Sequence, residues 1–424
     1  MTDRLVIRVQ LLISGEGHGS MLVSLENPPG NQATPFACNG SEPEFVALAS
    51  HSLGETSVRD AGRLLFDGLA AQPDIGLHLP AAAQPGAAKR PVFVELRAPG
   101  AAEALPWETL WSQAVDFLGL DARWPVSRIV PPVGDNPVHL EEFRPPLRIA
   151  AILSCLGVTA ADEWQILSKE VAAVAGRLDV EVLTFVSEHD LALSIQKAAD
   201  PGVSVDLVPQ DLATLREKVS SFRPHILHLF CHGRLRQRPQ LEIAVAADWQ
   251  DGVPNRSLRL EFDQISQLSN PMDPAWLAVL NCCEVGAPVG ETYSLARELV
   301  NRGPFAAAVA MSEPVNPDDA SAFSAALYPQ LLAAVENVVQ AKGNPVEIPF
   351  WNLLVEPRRR LCERQAVGGI SVSMAATSTK EWTVPVLYVR PDPLVLSWLP
   401  GPAPTLEEVG RQQLHRRALA GRGP

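Results

Sequence analysis

The 424-residue sequence predicts an α/β protein with a mostly parallel sheet flanked by helices, preceded by a supporting N-terminal lobe. Three observations predict it. From residue 147 onward, short apolar runs alternate with helical patterns, the signature of βαβ units. The first such run, Ile149 to Leu153, is continuously apolar, as a strand buried on both faces requires. Where the texture changes, "PPVGDNPVHLEEFRPP" (131–146) is rich in Pro and acidic residues and has a linker's composition.

In chain order, "RLVIRVQLL" and "SMLVSLEN" alternate as the strands of a hairpin. "TSVRDAGRLLFDGLAAQ" carries apolar residues at helical spacing behind a Thr or Ser cap. "RPVFVELRA" is a strand, and "LPWETLW" leads into "FLGLDARWPVSRIV". Residues 1–146 thus form the first lobe and its linker. In the second segment "LRIAAILSCLG", "VEVLTFV", "HILHLFCHG", "AWLAVLNCCEVG", "FAAAVAMSE" and "EWTVPVLYV" are strands, and "QLEIAVA" is one arm of a crossing hairpin. Between them "DEWQILSKEVAAVAGRL", "QDLATLREKVSSF", "ETYSLARELVNRG" and "DDASAFSAALYPQLLAAVENVVQA" are helices. The active sheet is expected over 147–392. Residues 342–380 lose periodicity and read as an insertion, part helix and part mobile loop, able to act as a lid. Residues 393–424 read as a C-terminal tail, frayed over "GPAPTLEEVGRQQLHRRALAGRGP" (401–424).

Composition narrows the function. A formal net charge of −13 gives no basic field, which argues against nucleic-acid or anionic-membrane binding. With 46% apolar and 20% charged residues the chain can build a core without disulfides or metals. The N-terminus is interrupted by Asp3, Arg4 and Arg8, unlike a signal peptide. No apolar run approaches the roughly 18–20 residues of a membrane span. The six cysteines show no framework spacing, so free thiols and a cytoplasmic location are expected. Cys-x-x-Cys, His-Glu-x-x-His, Gly-rich dinucleotide and P-loop motifs are all missing, and no cofactor is expected.

Reactive groups gather at two strand ends. "HILHLF" delivers Cys231, His232 and Gly233, and "WLAVLN" delivers Cys282, Cys283, Glu284, Val285 and Gly286. In an open parallel sheet the carboxyl edge is where chemistry is placed. His232 at that edge can deprotonate Cys283 and later protonate a leaving amine. The N–H groups of Gly233 and Cys283 can hold the oxyanion. His228, about 13 Å from His232 on the same strand face, reads as a structural hydrogen-bonding group. His225 opens the strand and reads as exposed. Three rivals stay open. A strand-end His and a buried Cys are often structural. Cys231, His232, Cys282 and Cys283 could bind a metal, although strand alternation opposes their convergence. Alternation also leaves Cys282 as a rival nucleophile.

"HLFCHG" followed by "VLNCCEVG" resembles the paired signature of CHAT-domain proteases, caspase-like cysteine peptidases related to separase, caspases and gingipains. Leu280, Cys283, Glu284 and Gly286 match the second run, while Asn281, Cys282 and Val285 depart from it, as Cys231 does from the first. "LPWETL" with "FLGLDARWPVSRIV", the segment "SLARELVNRGPFAAAVAMSEPVNPDDASAFSAALY" and "EWTVPVLYV" resemble further family segments in the right order. The resemblance implies a caspase-like fold, a catalytically silent N-terminal lobe and peptide-bond hydrolysis through a thioester. It implies His232 and Cys283 as the dyad, with no third catalytic residue. Asp318 and Asp319 fall where separase-like relatives place an acidic group for a basic substrate residue. A helix-capping role for the pair is the alternative. Trp107 and Glu108 are expected to hold the two halves together. A protein substrate, a separate regulatory protein and a role in bacterial defence or regulated cell death are what the resemblance further implies. A scaffold retained only for binding is the rival function.

Overall fold

The N-terminal hairpin forms as expected: β1 (Leu5–Ile13) and β2 (Gly19–Asn27) pair antiparallel, and β3 (Thr34–Phe36) adds to β2. A computed structural model describes residues 4–13, 19–50, 52–97, 100–133, 140–235, 238–270, 275–283, 292–366 and 370–400. They form two units. One holds residues up to 132 with 322–327 and 349–391; the other holds 133–321, 328–348 and 392 onward.

In the first unit the helices α1 (Pro43–Ala49), α2 (Ser57–Ala70), α3 (Pro73–Ala82) and α4 (Gly100–Ala104) accompany β4 (Val92–Arg97). The short ribbon β5 (Trp111–Ser112) and β6 (Asp116–Phe117) precedes β7 (Val126–Ile129). β1, β4 and β7 pair in parallel. Leu65 and Leu69 on the apolar stripe of α2 are wholly buried. Glu108 takes Arg128 in a bidentate pair at 2.9 and 2.8 Å, both side chains buried. Trp107 donates its indole N–H to the Ala102 carbonyl at 2.8 Å. The partners of Trp107 and Glu108 therefore belong to the first unit itself, and their role as a tie between halves gains no support.

In the second unit the stretch read as linker contains a strand, β8 (Leu140–Phe143). The sheet then uses β9 (Leu147–Leu153), β10 (Val180–Val186), β11 (Val203–Leu207), β12 (Ile226–Leu235), β13 (Pro239–Ile243), β14 (Leu258–Leu260), β15 (Leu277–Cys283) and β16 (Ala307–Met311). Its helices are α5 (Ala161–Ala173), α6 (His189–Ala198), α7 (Leu212–Phe222), α8 (Ala246–Asp251), α9 (Phe262–Ser266), α10 (Thr292–Asn301) and α11 (Pro317–Gln340). The parallel order is β11-β10-β9-β12-β15-β16. Every residue of β9 and of β16 is buried; β16 is apolar throughout and β9 is apolar except for Arg148. By length and composition α11 could cross a membrane, against the sequence reading; a core helix passes the same test, and 56% of its most apolar window is buried.

Two expectations for the C-terminal third fail. The short strand β17 (Val346–Glu347) is followed by α12 (Val355–Gln365) and α13 (Val372–Ser378), and these helices fold with β18 (Pro385–Val389) into the first unit. Arg358 of α12 is wholly buried and donates to the carbonyls of Val126 and Pro385 at 3.2 and 3.0 Å. That is anchorage in a core, not a lid, and the stretch read as a mobile loop contains α13 capped by Ser371. β18, read as the closing strand, forms as a strand and pairs in parallel with β7. The segment read as a tail contains β19 (Val395–Trp398), which pairs with β17 and β8; residues 401–424 lie outside the described ones.

Candidate functional site

Strand order reverses beside β9. The chain runs outward through β9, β10 and β11, then returns to lay β12 on the other side of β9. At such a switch point the loops after the two strands leave in opposite directions and open a crevice at the carboxyl edge. Cys155 and Leu156 follow β9 there, and His232 lies near the end of β12. On its other side β12 pairs with β15 in continuous parallel register from Ile226↔Leu277 to His232↔Cys283. The backbone of Cys283 therefore ends β15 beside His232. The Cys283 side chain, with Glu284, Val285 and Gly286, lies outside the described residues.

The three histidines of β12 and its entry separate sharply. His232 is 8% exposed, with Nε2 2.8 Å from the Leu156 carbonyl and Nδ1 3.5 Å from Cys155 Sγ. A carbonyl only accepts, so Nε2 carries the hydrogen in the neutral ring and Nδ1 keeps the basic lone pair. Gly233 follows in the β12–β13 ladder, opposite Leu241.

His225, expected to be exposed, is 4% exposed. Its ring stacks on Trp276 at 4.3 Å between centroids and meets Phe143 edge-on at 5.7 Å. Both ring nitrogens face donors, the Arg148 N–H at 3.0 Å and its guanidinium at 2.9 Å, which leaves no place for a second proton. Burial, then the charges of Arg148 and Arg223, hold its pKa well below the usual value. The unfolded chain therefore takes up a proton below about pH 6.5 that the folded chain refuses. Stability from this site is full above that pH and falls by roughly 1.4 kcal/mol per unit below it, down to the folded pKa. The urea midpoint should drop more steeply between pH 7 and 5.5 in the wild type than in His225→Phe; parallel profiles would refute the assignment.

His228 is structural, as read. Tyr328 Oη lies 2.6 Å from its Nδ1 and Glu163 Oε1 lies 3.0 Å from its Nε2, all three side chains buried. Asn281 donates to the same carboxylate oxygen at 3.3 Å and to the Ala320 carbonyl at 3.1 Å. α5, β12, β15 and α11 are thereby joined under the sheet edge. Asp318 and Asp319 occupy the first turn of α11, Asp318 exposed and Asp319 buried. The helix cap is Asn316, whose side chain accepts the Asp318 N–H at 2.8 Å, so the aspartates are first-turn acids and not the cap.

Beyond the parallel sheet, β12 turns back into β13 and sets His232 opposite Glu242. The hairpin is anchored where β13 ends. Ser154 and Ser187, just after β9 and β10, both donate to the Ala244 carbonyl, at 2.8 and 2.5 Å. Glu242 is 3% exposed and accepts from Arg234 Nε at 3.1 Å. Alternation puts Cys231 on the opposite face from His232. There its Sγ lies 4.0 Å from that of Cys282, which stands in register with it. Cys231, His232 and Cys282 thus do not converge on one point, and among the described residues no three His, Cys, Asp or Glu side chains gather as metal ligands. The sequence reading missed Cys155, Glu163 and Glu242, whose places depend on strand pairing; only the polar positions of "QLEIAVA" marked Glu242.

A search of curated proteins returned no matching relative. The family model described as the CHAT domain matches residues 160–342. That span runs from the start of α5 to just past α11 and includes His232, Cys283 and the aspartate pair. Residues 160–342, which carry His232 and the backbone of Cys283 at the carboxyl edge of a parallel sheet, are similar to the CHAT domain.

Proposed function

We propose that the protein is a cysteine endopeptidase acting through a His232–Cys283 dyad. The observation that carries this reading is the register that ends β15 at Cys283 beside His232, within the CHAT match. Cys283 passes its thiol proton to His232 Nδ1, and the thiolate attacks the peptide carbonyl carbon. The N–H groups of Gly233 and Cys283 receive the oxyanion. The C–N bond breaks as His232 returns the proton to the leaving nitrogen, leaving a thioester. Water, deprotonated by His232, then hydrolyses it and restores the thiol. The Leu156 carbonyl supports this cycle by holding the imidazole in the tautomer that keeps Nδ1 basic. The substrate is a partner protein, and a separate protein or signal switches the enzyme on.

The test compares new protein N-termini in cells expressing the wild type and Cys283→Ala. The wild type should produce N-termini that the variant lacks. Identical sets, together with a Cys283 that takes up no peptidyl electrophile, would sink the reading and favour a non-enzymatic interaction module.

A further inference from the structure

We propose that Glu242, with Gln240 beside it, selects a basic side chain in the substrate next to the bond that is cut. This inference rests on the peptidase reading above and deepens it.

Position comes first. Glu242 is the register partner of His232 across an antiparallel pair, so the two share one face of the hairpin. Their Cβ atoms then lie about 4.5–5.5 Å apart. Cys283 is the register partner of His232 on its other side. Glu242, His232 and Cys283 therefore occupy three adjacent strands in one row across the carboxyl edge.

Incomplete bonding comes second. Glu242 Oε2 receives Arg234, but Oε1 is buried with no hydrogen-bond partner among the described residues. Gln240, two residues earlier on the same face and 5% exposed, buries its amide nitrogen in the same condition. Buried polar atoms are nearly always satisfied, so two such atoms on one anchored strand face call for a reason. One is an acceptor with negative charge and the other a donor. Their complement is a cation with a carbonyl nearby, which a peptide supplies through a Lys or Arg side chain and its own backbone. Arg234 already shows that this carboxylate receives a guanidinium and keeps one oxygen for another donor.

The site differs from the aspartate pair at the start of α11, and the two can be told apart. Full-length protein is treated with two peptidyl acyloxymethyl ketones that differ only in carrying lysine or norleucine at the residue bearing the ketone. The rate of adduct formation at Cys283 is read by mass spectrometry. The lysine probe should react faster by roughly ten- to a hundredfold, the range of one charge-assisted hydrogen bond. Glu242→Gln should bring that ratio close to one, and Arg234→Gln, which frees the second oxygen, should raise it. Thermal midpoints of both variants establish that they fold. A ratio unchanged in Glu242→Gln but lost in Asp319→Asn overturns the inference. So does an equal fall of both rates with a shifted pH profile, which would make Glu242 a support for the imidazolium of His232. If Cys283 of the wild type reacts with both probes equally, this inference alone fails. If it reacts with neither at any pH, the peptidase reading fails as well.

Discussion

Cys283→Ala is expected to lower cleavage by about a thousandfold or more, and Cys282→Ala by no more than a few fold. Two adjacent cysteines at a strand end invite the opposite assignment, and the described neighbours separate them. Cys282 is 5% exposed and its sulfur packs 4.0 Å from that of Cys231. Cys231 directly precedes His232, so that thiol pair sits on the sheet face away from the imidazole. Among the described residues, the Cys282 sulfur faces Cys231 and not the imidazole of His232. Shortening it to Ala removes one packed sulfur and costs on the order of 1 kcal/mol of stability. Removing the nucleophile instead leaves binding and oxyanion donors with nothing to form the thioester. Hydrolysis of a peptide spanning the cut site found by N-terminal comparison gives the measurement. Full activity in Cys283→Ala, with loss in Cys282→Ala, would reverse the assignment.

What the residues disclosed, and what they hid, follows from where the determining contacts lie in the chain. β9, β15 and β16 were legible because a strand buried on both faces carries a continuous apolar run, here Ile149–Leu153, Leu277–Leu280 and Ala307–Met311, a local property. His232 and Cys283 could be singled out because each closes a mostly apolar run in the sequence. His225 was misread because its cover comes from Phe143 and Trp276, far away in sequence. The place of α12 was hidden because its anchor is distant in sequence: Arg358 is wholly buried, with its guanidinium on the carbonyls of Val126 and Pro385. Composition misled at 131–146, where prolines and acidic residues surround β8. Alternation in "QLEIAVA" marked Glu242 as a polar strand residue, but only the hairpin register sets it against His232.

Glu163→Leu should destabilise the protein by on the order of 3 kcal/mol. Glu163 reaches both strands that carry the proposed dyad. Its Oε1 meets His228 Nε2 at 3.0 Å and receives the Asn281 amide at 3.3 Å. Because the Tyr328 hydroxyl can donate to His228 Nδ1, the ring hydrogen falls on Nε2, facing the carboxylate. Leucine would fill a similar volume but take away the carboxylate that lies 3.0 Å from the buried Nε2, at a cost of roughly 1–3 kcal/mol. The Asn281 bond adds about 1 kcal/mol. Glu163→Gln keeps an acceptor in place and should lose less than half as much. The double variant Glu163→Leu/His228→Phe discriminates between orphaned polarity and simple misfit. If the loss comes from a stranded donor, removing the donor recovers part of it, and the double variant is more stable than the sum of the single losses predicts. Urea denaturation of the four proteins measures this, and strict additivity would refute the account. Asn281 stands two residues before Cys283, and Ala320 lies in the α11 turn that carries Asp318 and Asp319. Freeing Asn281 from Glu163 should therefore also slow electrophile capture at Cys283 in protein that is still folded.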